Sequence, residues 1–148
     1  MFTLSEKSLS KLEGVNQLLV DVVKLAIQFS RIDFTVTEGL RSKERQVQLV
    51  AEGRSRTLNS KHITGKAVDL AAIVDGKISW KFEHYIEIAI AMKKAAKMLG
   101  VEVTWGAVWD MPINEVIDLR TEPAKYAQRF SKASNRSPLV DGPHFELK

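Results

Sequence analysis

The chain has 148 residues, a length suited to one compact domain, and 45% apolar with 27% charged residues describes a globular protein rather than a disordered one. It contains no cysteine, which excludes a disulfide scaffold and a cysteine-based zinc finger, so any metal site must draw on His, Asp or Glu. The net charge of +4 suits nucleic acid, anionic lipid or a polyanionic wall polymer alike, but no dense Lys/Arg run is interleaved with aromatics, which argues against specific nucleic-acid binding.

Thr3 followed by Glu6 forms a capping-box pattern and opens a short helix that Gly14 ends. From Val15 to Phe29, apolar residues at Leu18, Leu19, Val22, Val23, Leu25, Ala26 and Phe29 mark one face of a second helix. Asp33 to Gly39 alternates and reads as a strand. Ser42 then caps a helix reaching about Glu52, with Gly53 as its stop. Arg54 to Lys61 is polar and irregular, and it holds Arg54 and Arg56. Ala67 to Val74 reads as a buried strand, and Asp75-Gly76 as a hairpin turn returning along Lys77 to Trp80. The longest helix runs from Phe82 to Leu99, carries Lys93, Lys94 and Lys97, and stops at Gly100.

Val101 to Trp105 alternates as a strand. Trp109 to Ser137 is polar, with a helix expected from Pro123 to Phe130. Its carboxylates Asp110, Glu115, Asp118 and Glu122 lack the ladder of a strong calcium site and read as a solvated loop. The closing "HFELK" reads as a last strand. The expected class is α+β, with N-terminal helices and one long helix packed on a small, mostly antiparallel sheet, in a single domain over residues 1–148. No basic start leads into an apolar run and no stretch of about 18 apolar residues occurs, so neither a signal peptide nor a membrane span is expected. With no heptad and no long exposed apolar stripe, a monomer is expected.

Three histidines are present. His84 lies inside the long helix and reads as a surface or packing residue. His62 and His144 each sit where an irregular segment meets a strand, and each has a carboxylate nearby, Asp69 and Asp141 respectively. Two His and one carboxylate are enough to hold a catalytic zinc with a position left for water, and a further carboxylate could act as its base. Gly65 and Gly142 would let the chain turn beside the two histidines, and Pro143 fixes the backbone before His144. On spacing alone, solvated loop residues explain the pattern as well as a metal site does.

"SKHITGKAVDL", from Ser60 to Leu70, has the form Ser-x-His-x-x-Gly-x-Ala-x-Asp, and "DGPHFEL" has the form Asp-x-x-His. The pair resembles the signature of the LAS-type zinc peptidases. That group includes the D-Ala-D-Ala carboxypeptidases and dipeptidases, the phage L-alanyl-D-glutamate peptidases and the hedgehog signalling domain. "GLRS" with Arg41 and the later "WG" at Trp105-Gly106 follow the same order, so the resemblance spans about Phe34 to Leu147. It implies the hedgehog/DD-peptidase-like fold, with one zinc ion per chain held by His62, Asp69 and His144.

By the same resemblance Asp141 is the general base and later the acid. Many carboxypeptidase members have Glu there, so Asp points toward the phage peptidases. Arg41 would donate to the substrate carbonyl or the developing oxyanion. Ser60 either orients the metal loop, touches substrate or simply stabilises a turn, and Trp105 belongs to the core or the cleft wall. The activity implied is that of a phage endolysin cutting the L-alanyl-D-glutamate bond of peptidoglycan stem peptides. Such an enzyme would be made in the host cytoplasm and released to the wall by a separate membrane-perforating protein. A D-Ala-D-Ala carboxypeptidase or dipeptidase, and a non-catalytic zinc-binding interaction domain, are the alternatives on this scaffold.

Overall fold

The computed structural model describes residues 1–148. In chain order the elements are α1 (Glu6–Lys11), α2 (Gln17–Phe29), β1 (Asp33–Glu38), α3 (Lys43–Ala51), β2 (Ala67–Val74), β3 (Lys77–Ser79), α4 (Phe82–Leu99), β4 (Val103–Trp105), α5 (Glu122–Ser134) and β5 (His144–Leu147). A single 3₁₀ turn covers Ile113–Glu115. The strands form one antiparallel sheet in the order β1-β2-β5-β4, with β3 on β2. The β3 and β5 partners share one edge of β2, because β5 pairs with Ala67–Asp69 and β3 with Ala72–Val74. The fold is the expected α+β arrangement.

Alternation along the strands decides which face is which. Val36, Val68, Leu70, Val103, Trp105 and Phe145 are buried in one core that also takes in the apolar faces of α2 and α4. Each fully buried side chain of this kind contributes roughly 1.5–3 kcal/mol. Buried alanines on α4, among them Ala89, Ala95 and Ala96, belong to the same core. The residues between the core positions, Asp69, His144 and Glu146, therefore point to the opposite face. A one-residue slip of β2 or β5 would drive those polar groups into the core, so core burial also fixes the register of the site.

Local signals hold in most places. Ser42 Oγ accepts from the Arg45 N–H at 3.0 Å and caps α3. Asp75 and Gly76 both have positive φ (52° and 76°), as a two-residue hairpin turn of this sequence requires. Gly100 caps α4 in the left-handed conformation.

Four expectations need correction. The cap of α1 is Ser5, not Thr3, and Ser5 Oγ accepts from the Ser8 N–H at 3.1 Å. The start is set by docking: buried Ser8 Oγ accepts from the Val36 N–H at 3.0 Å, tying α1 to β1. Leu18 is exposed, because Asn16 caps α2 and the buried stripe runs through Leu19, Val22, Val23 and Ala26. The strand expected from Val101 begins only at Val103, with Asn114 bridging the Val103 N–H and the Val101 carbonyl.

The stretch 106–140 is more than a solvated loop. Ile113, Val116, Leu119 and Tyr126 join the core, and α5 extends from Glu122 to Ser134. Of its carboxylates, Asp110 takes both Arg129 Nε (2.9 Å) and Nη2 (3.0 Å), and Glu122 takes Arg129 Nη1 at 2.6 Å.

Candidate active site

Asp69 and His144 are direct partners in the β2–β5 ladder, so their side chains stand side by side on the open face of the sheet. Asp69 is also opposite Glu38 on β1, where the register shifts between Val36 and Glu38. That irregularity places Glu38 in the same cross-strand row as Asp69 and His144. His62 arrives from the loop before β2. Its backbone carbonyl accepts from the Arg41 N–H at 2.9 Å, and Gly65 closes the turn at φ +70°, where a Cβ would lie 2.4 Å from the Gly14 carbonyl oxygen. On the other side it is Gly106, rather than Gly142, that the geometry demands: a Cβ there would sit 2.1 Å from the Asp141 carbonyl oxygen. Trp105 is wholly buried and donates from Nε1 to the Gly142 carbonyl at 2.8 Å, which fixes the segment leading to His144.

The three side chains converge. His62 Nε2 lies 3.3 Å and His144 Nδ1 3.2 Å from the same oxygen, Asp69 Oδ1. One ligand atom from each falls within 4.8 Å of the others. Donors about 2.1 Å from a tetrahedral cation stand about 3.4 Å apart, so this spacing fits a shared ion. The far ring nitrogens are also engaged. His62 Nδ1–H donates to the Gly39 carbonyl at 2.8 Å, so Nε2 is the ring nitrogen turned to Asp69 and offered to a cation. His144 Nε2–H donates to Glu146 Oε1 at 2.8 Å, leaving Nδ1. Such partners hold metal-binding imidazoles in the required tautomer and orientation.

Charge in the cluster is strongly coupled. Burial acts to raise the Asp69 carboxyl, but hydrogen bonds from His144 and His62 prevail and hold it well below the usual carboxylate range. Burial acts to lower His144, but its bonds to Asp69 and Glu146 raise it to about 9. A cation in the cluster would compete with that proton for Nδ1.

Asp141 lines the same cleft of about 560 Å³ but stands outside the three-ligand cluster. Burial and then the nearby Asp69 charge push its carboxyl above the ordinary value, against the pull of His144, His62 and Arg41. A carboxyl with a raised proton affinity, clear of the ligand set, is equipped to take up and return a proton. Arg41 is only 9% exposed. It forks onto Glu38 through Nε and Nη2, both at 2.6 Å, donates from Nη1 to Gln46 Oε1 at 2.7 Å, and keeps Nη2 3.8 Å from Asp69 Oδ2. Ser60 Oγ accepts from the His62 N–H at 3.2 Å and faces Arg41 Nη1 at 3.5 Å.

A family model described as phage L-alanyl-D-glutamate peptidase matches residues 1–148. The chain belongs to the phage L-alanyl-D-glutamate peptidase family. It is 34% identical over 113 residues to the L-alanyl-D-glutamate peptidase of Escherichia phage T5, covering 74% of this chain and 82% of that protein. It is 31% identical over 131 residues to the peptidoglycan L-alanyl-D-glutamate endopeptidase CwlK of Bacillus subtilis, covering 73% and 75%. The crystal structure of the Serratia marcescens L-Ala D-Glu endopeptidase ChiX matches with a TM-score of 0.75 at 37% identity, over 99% of this chain and 89% of that one.

For a member of this peptidase family, the residues around the cluster matter as much as the motif. Glu38, Gln46, Lys61, Trp109 and Glu146 were not singled out from the sequence, yet all of them line the cleft or hold a residue that does. Glu146 was within reach: two residues after His144 on a strand, it must share its face. Its other oxygen lies 3.4 Å from Lys61 Nζ, which donates to the Leu147 carbonyl at 2.7 Å. Trp109, not Trp105, forms the cleft wall, with its ring 5.2 Å from that of His144. His84, expected to be a surface or packing residue, is half-buried at the start of α4 and paired with Ser79 Oγ at 2.7 Å.

Replacing Glu146 by Gln keeps the shape but removes the charge that orients His144. Metal affinity should fall about 10- to 100-fold. Titration of the metal-free protein with zinc, read by calorimetry, checks this; unchanged affinity would remove Glu146 from any role in holding the site.

Proposed function

We propose that this peptidase is a phage endolysin that uses one zinc ion per chain to hydrolyse the L-alanyl-D-glutamate bond of peptidoglycan stem peptides. The observation that carries the reading is the convergence of His62, Asp69 and His144 with Asp141 standing beside them in one cleft, in a chain of this family. Two imidazole nitrogens and one carboxylate oxygen are a donor set suited to zinc, whereas calcium and magnesium prefer oxygen ligands throughout.

His62, Asp69 and His144 would hold the zinc, with Gly39, Glu146 and Arg41 keeping them in place. When bound, zinc supplies Lewis-acid polarisation of the scissile carbonyl and acidifies water. Asp141 accepts the proton of the attacking water on its carboxylate. It then returns that proton to the leaving amine of D-glutamate. Arg41 places a fixed positive charge beside the site, where negative charge grows on the carbonyl oxygen. Most of its donors are engaged, so its part is electrostatic and structural more than a free hydrogen bond to substrate. Ser60 shapes the metal loop through the His62 N–H.

No helix is long and apolar enough to cross a membrane. The endolysin reading has the protein accumulate in the host cytoplasm and reach the wall, as a monomer, after a separate protein perforates the membrane. Digestion of purified peptidoglycan with product sequencing by mass spectrometry tests the bond. New N-terminal D-glutamate is expected. Release of terminal D-alanine would transfer the assignment to a carboxypeptidase, and zinc binding without any cleavage would transfer it to an interaction domain.

A further inference from the structure

The basic residues look scattered in the sequence, but folding collects several of them on one wall of the cleft. Arg45 on α3 and Arg54 and Arg56 on the following loop line the same cavity as His62, Asp69, Asp141 and His144. The cleft's other cations are engaged: Arg41 is forked by Glu38, and Lys61 is held between Glu146 and the Leu147 carbonyl. Arg54 faces Glu52 at 3.7 Å. Arg45 and Arg56 have no carboxylate within ion-pair distance, and the one side-chain partner of Arg45 is Gln48 at 3.5 Å.

The loop is tied down rather than free. Gln46 is almost wholly buried and satisfies both ends of its amide. Its Oε1 accepts from Arg41 Nη1 at 2.7 Å, while its Nε2 donates to Ser55 Oγ at 2.9 Å and to the Thr57 carbonyl at 2.5 Å. One buried amide therefore joins the guanidinium beside the metal ligands to the loop that carries Arg56. Arg56 on that loop is thus held at the cleft and, like Arg45 on α3, has no carboxylate within ion-pair distance.

The substrate class supplies an anion. A glutamyl residue has two carboxyl groups and only one can continue the peptide, so the D-glutamyl residue on the leaving side of the scissile bond keeps a free carboxylate a few bonds from the reacting nitrogen. We infer that Arg45 and Arg56 form the subsite that recognises this leaving-side carboxylate and so set the preference for D-glutamate over its amide. The inference rests on the functional reading above. Guanidinium groups suit the task because their paired N–H donors match a carboxylate.

The test compares two purified muropeptides, one with the free D-glutamyl carboxylate and one with that carboxylate converted to a primary amide. Wild type should favour the acid by about 10- to 100-fold in kcat/KM, the range of a charge-assisted contact. Arg45→Gln and Arg56→Gln should each lower that acid-to-amide ratio several-fold, and the double variant should bring it close to one. Arg56→Lys, which keeps the charge, should retain part of the preference. Added salt should lower the wild-type ratio, since Arg56 is exposed and Arg45 half-buried, which leaves both open to screening. The ratio separates recognition from folding, because a variant that is merely damaged slows both substrates together. Equal cleavage of acid and amide by wild type, or variants that slow both and leave the ratio intact, would overturn the subsite alone. A wild type that leaves the L-Ala–D-Glu bond intact in both would overturn the functional reading and the subsite with it.

Discussion

Asp141→Asn should lower kcat by about 10²- to 10⁴-fold while the protein still binds one zinc. The asymmetry follows from the position of Asp141. Its side chain lies in the cleft but outside the three-ligand cluster, so the exchange removes the proton acceptor without removing a ligand. Folding should be unaffected. The loop is held by backbone bonds, Asp141 N–H to the Gly106 carbonyl at 2.8 Å and His144 N–H to the Asp141 carbonyl at 3.1 Å, and by Trp105, none of which uses the carboxylate. The exchange also removes repulsion from the Asp69 charge, one of the influences that raise the Asp141 carboxyl. Turnover of a defined stem peptide beside metal content by atomic absorption checks the result. An Asn variant that keeps more than about a tenth of wild-type activity would fall outside the range for a lost general base and would exclude Asp141 from proton transfer.

His62→Ala should abolish both zinc binding and activity, and it should differ from the Asp141 variant in stability. His62 is 2% exposed, packs edge-on against His144 with ring centroids 5.1 Å apart, and donates to the Gly39 carbonyl. Its loss leaves two ligands and an unpaired carbonyl. For wild type, zinc at about a thousand times its Kd should stabilise the fold by about 4 kcal/mol, a rise in Tm of roughly 8–16 °C for a chain of this size. Chelation should remove that increment together with activity, and zinc should restore both. The His62→Ala protein should show no rise in Tm with zinc. A variant that still melts higher with zinc would place the ion elsewhere in the molecule.

Glu146 and Gln46 show why some of the site was hard to read from sequence. Neither belongs to the two-part motif. Glu146 could be placed by strand alternation once β5 was assigned, since it must share a face with His144. Gln46 sits in α3, a helix of mixed polarity, and nothing local distinguishes it from an exposed glutamine. It is buried because the loop from Gly53 to Asn59 folds back over it, a contact between segments. The stretch after Gly106 failed for a related reason. Ile113, Val116 and Leu119 recur every third residue, but over too short and polar a stretch to fix a helix or strand, and Tyr126 lies apart from them, yet each finds a place in the core. The cap of α1 moved from Thr3 to Ser5 because docking of Ser8 onto β1 outweighed a local preference worth about 1 kcal/mol.

By itself the sequence determined the α+β class, the order of nearly all the elements and the identity of the candidate metal ligands. The class and the elements depend on local periodicity and on glycine and serine at element ends, and the candidate ligands on a two-part motif whose resemblance to the LAS-type zinc peptidases implies them. Tertiary structure decided what those residues do together. The β2–β5 register put Asp69 beside His144, the irregularity in β1 brought Glu38 and with it Arg41 into the row, and the fold of the α3 loop turned scattered arginines into one cationic wall. Distances between segments far apart in the chain are set by how the core packs. No local pattern carries that information, because the register is chosen by the burial of Leu70, Phe145 and their neighbours on the face away from the site.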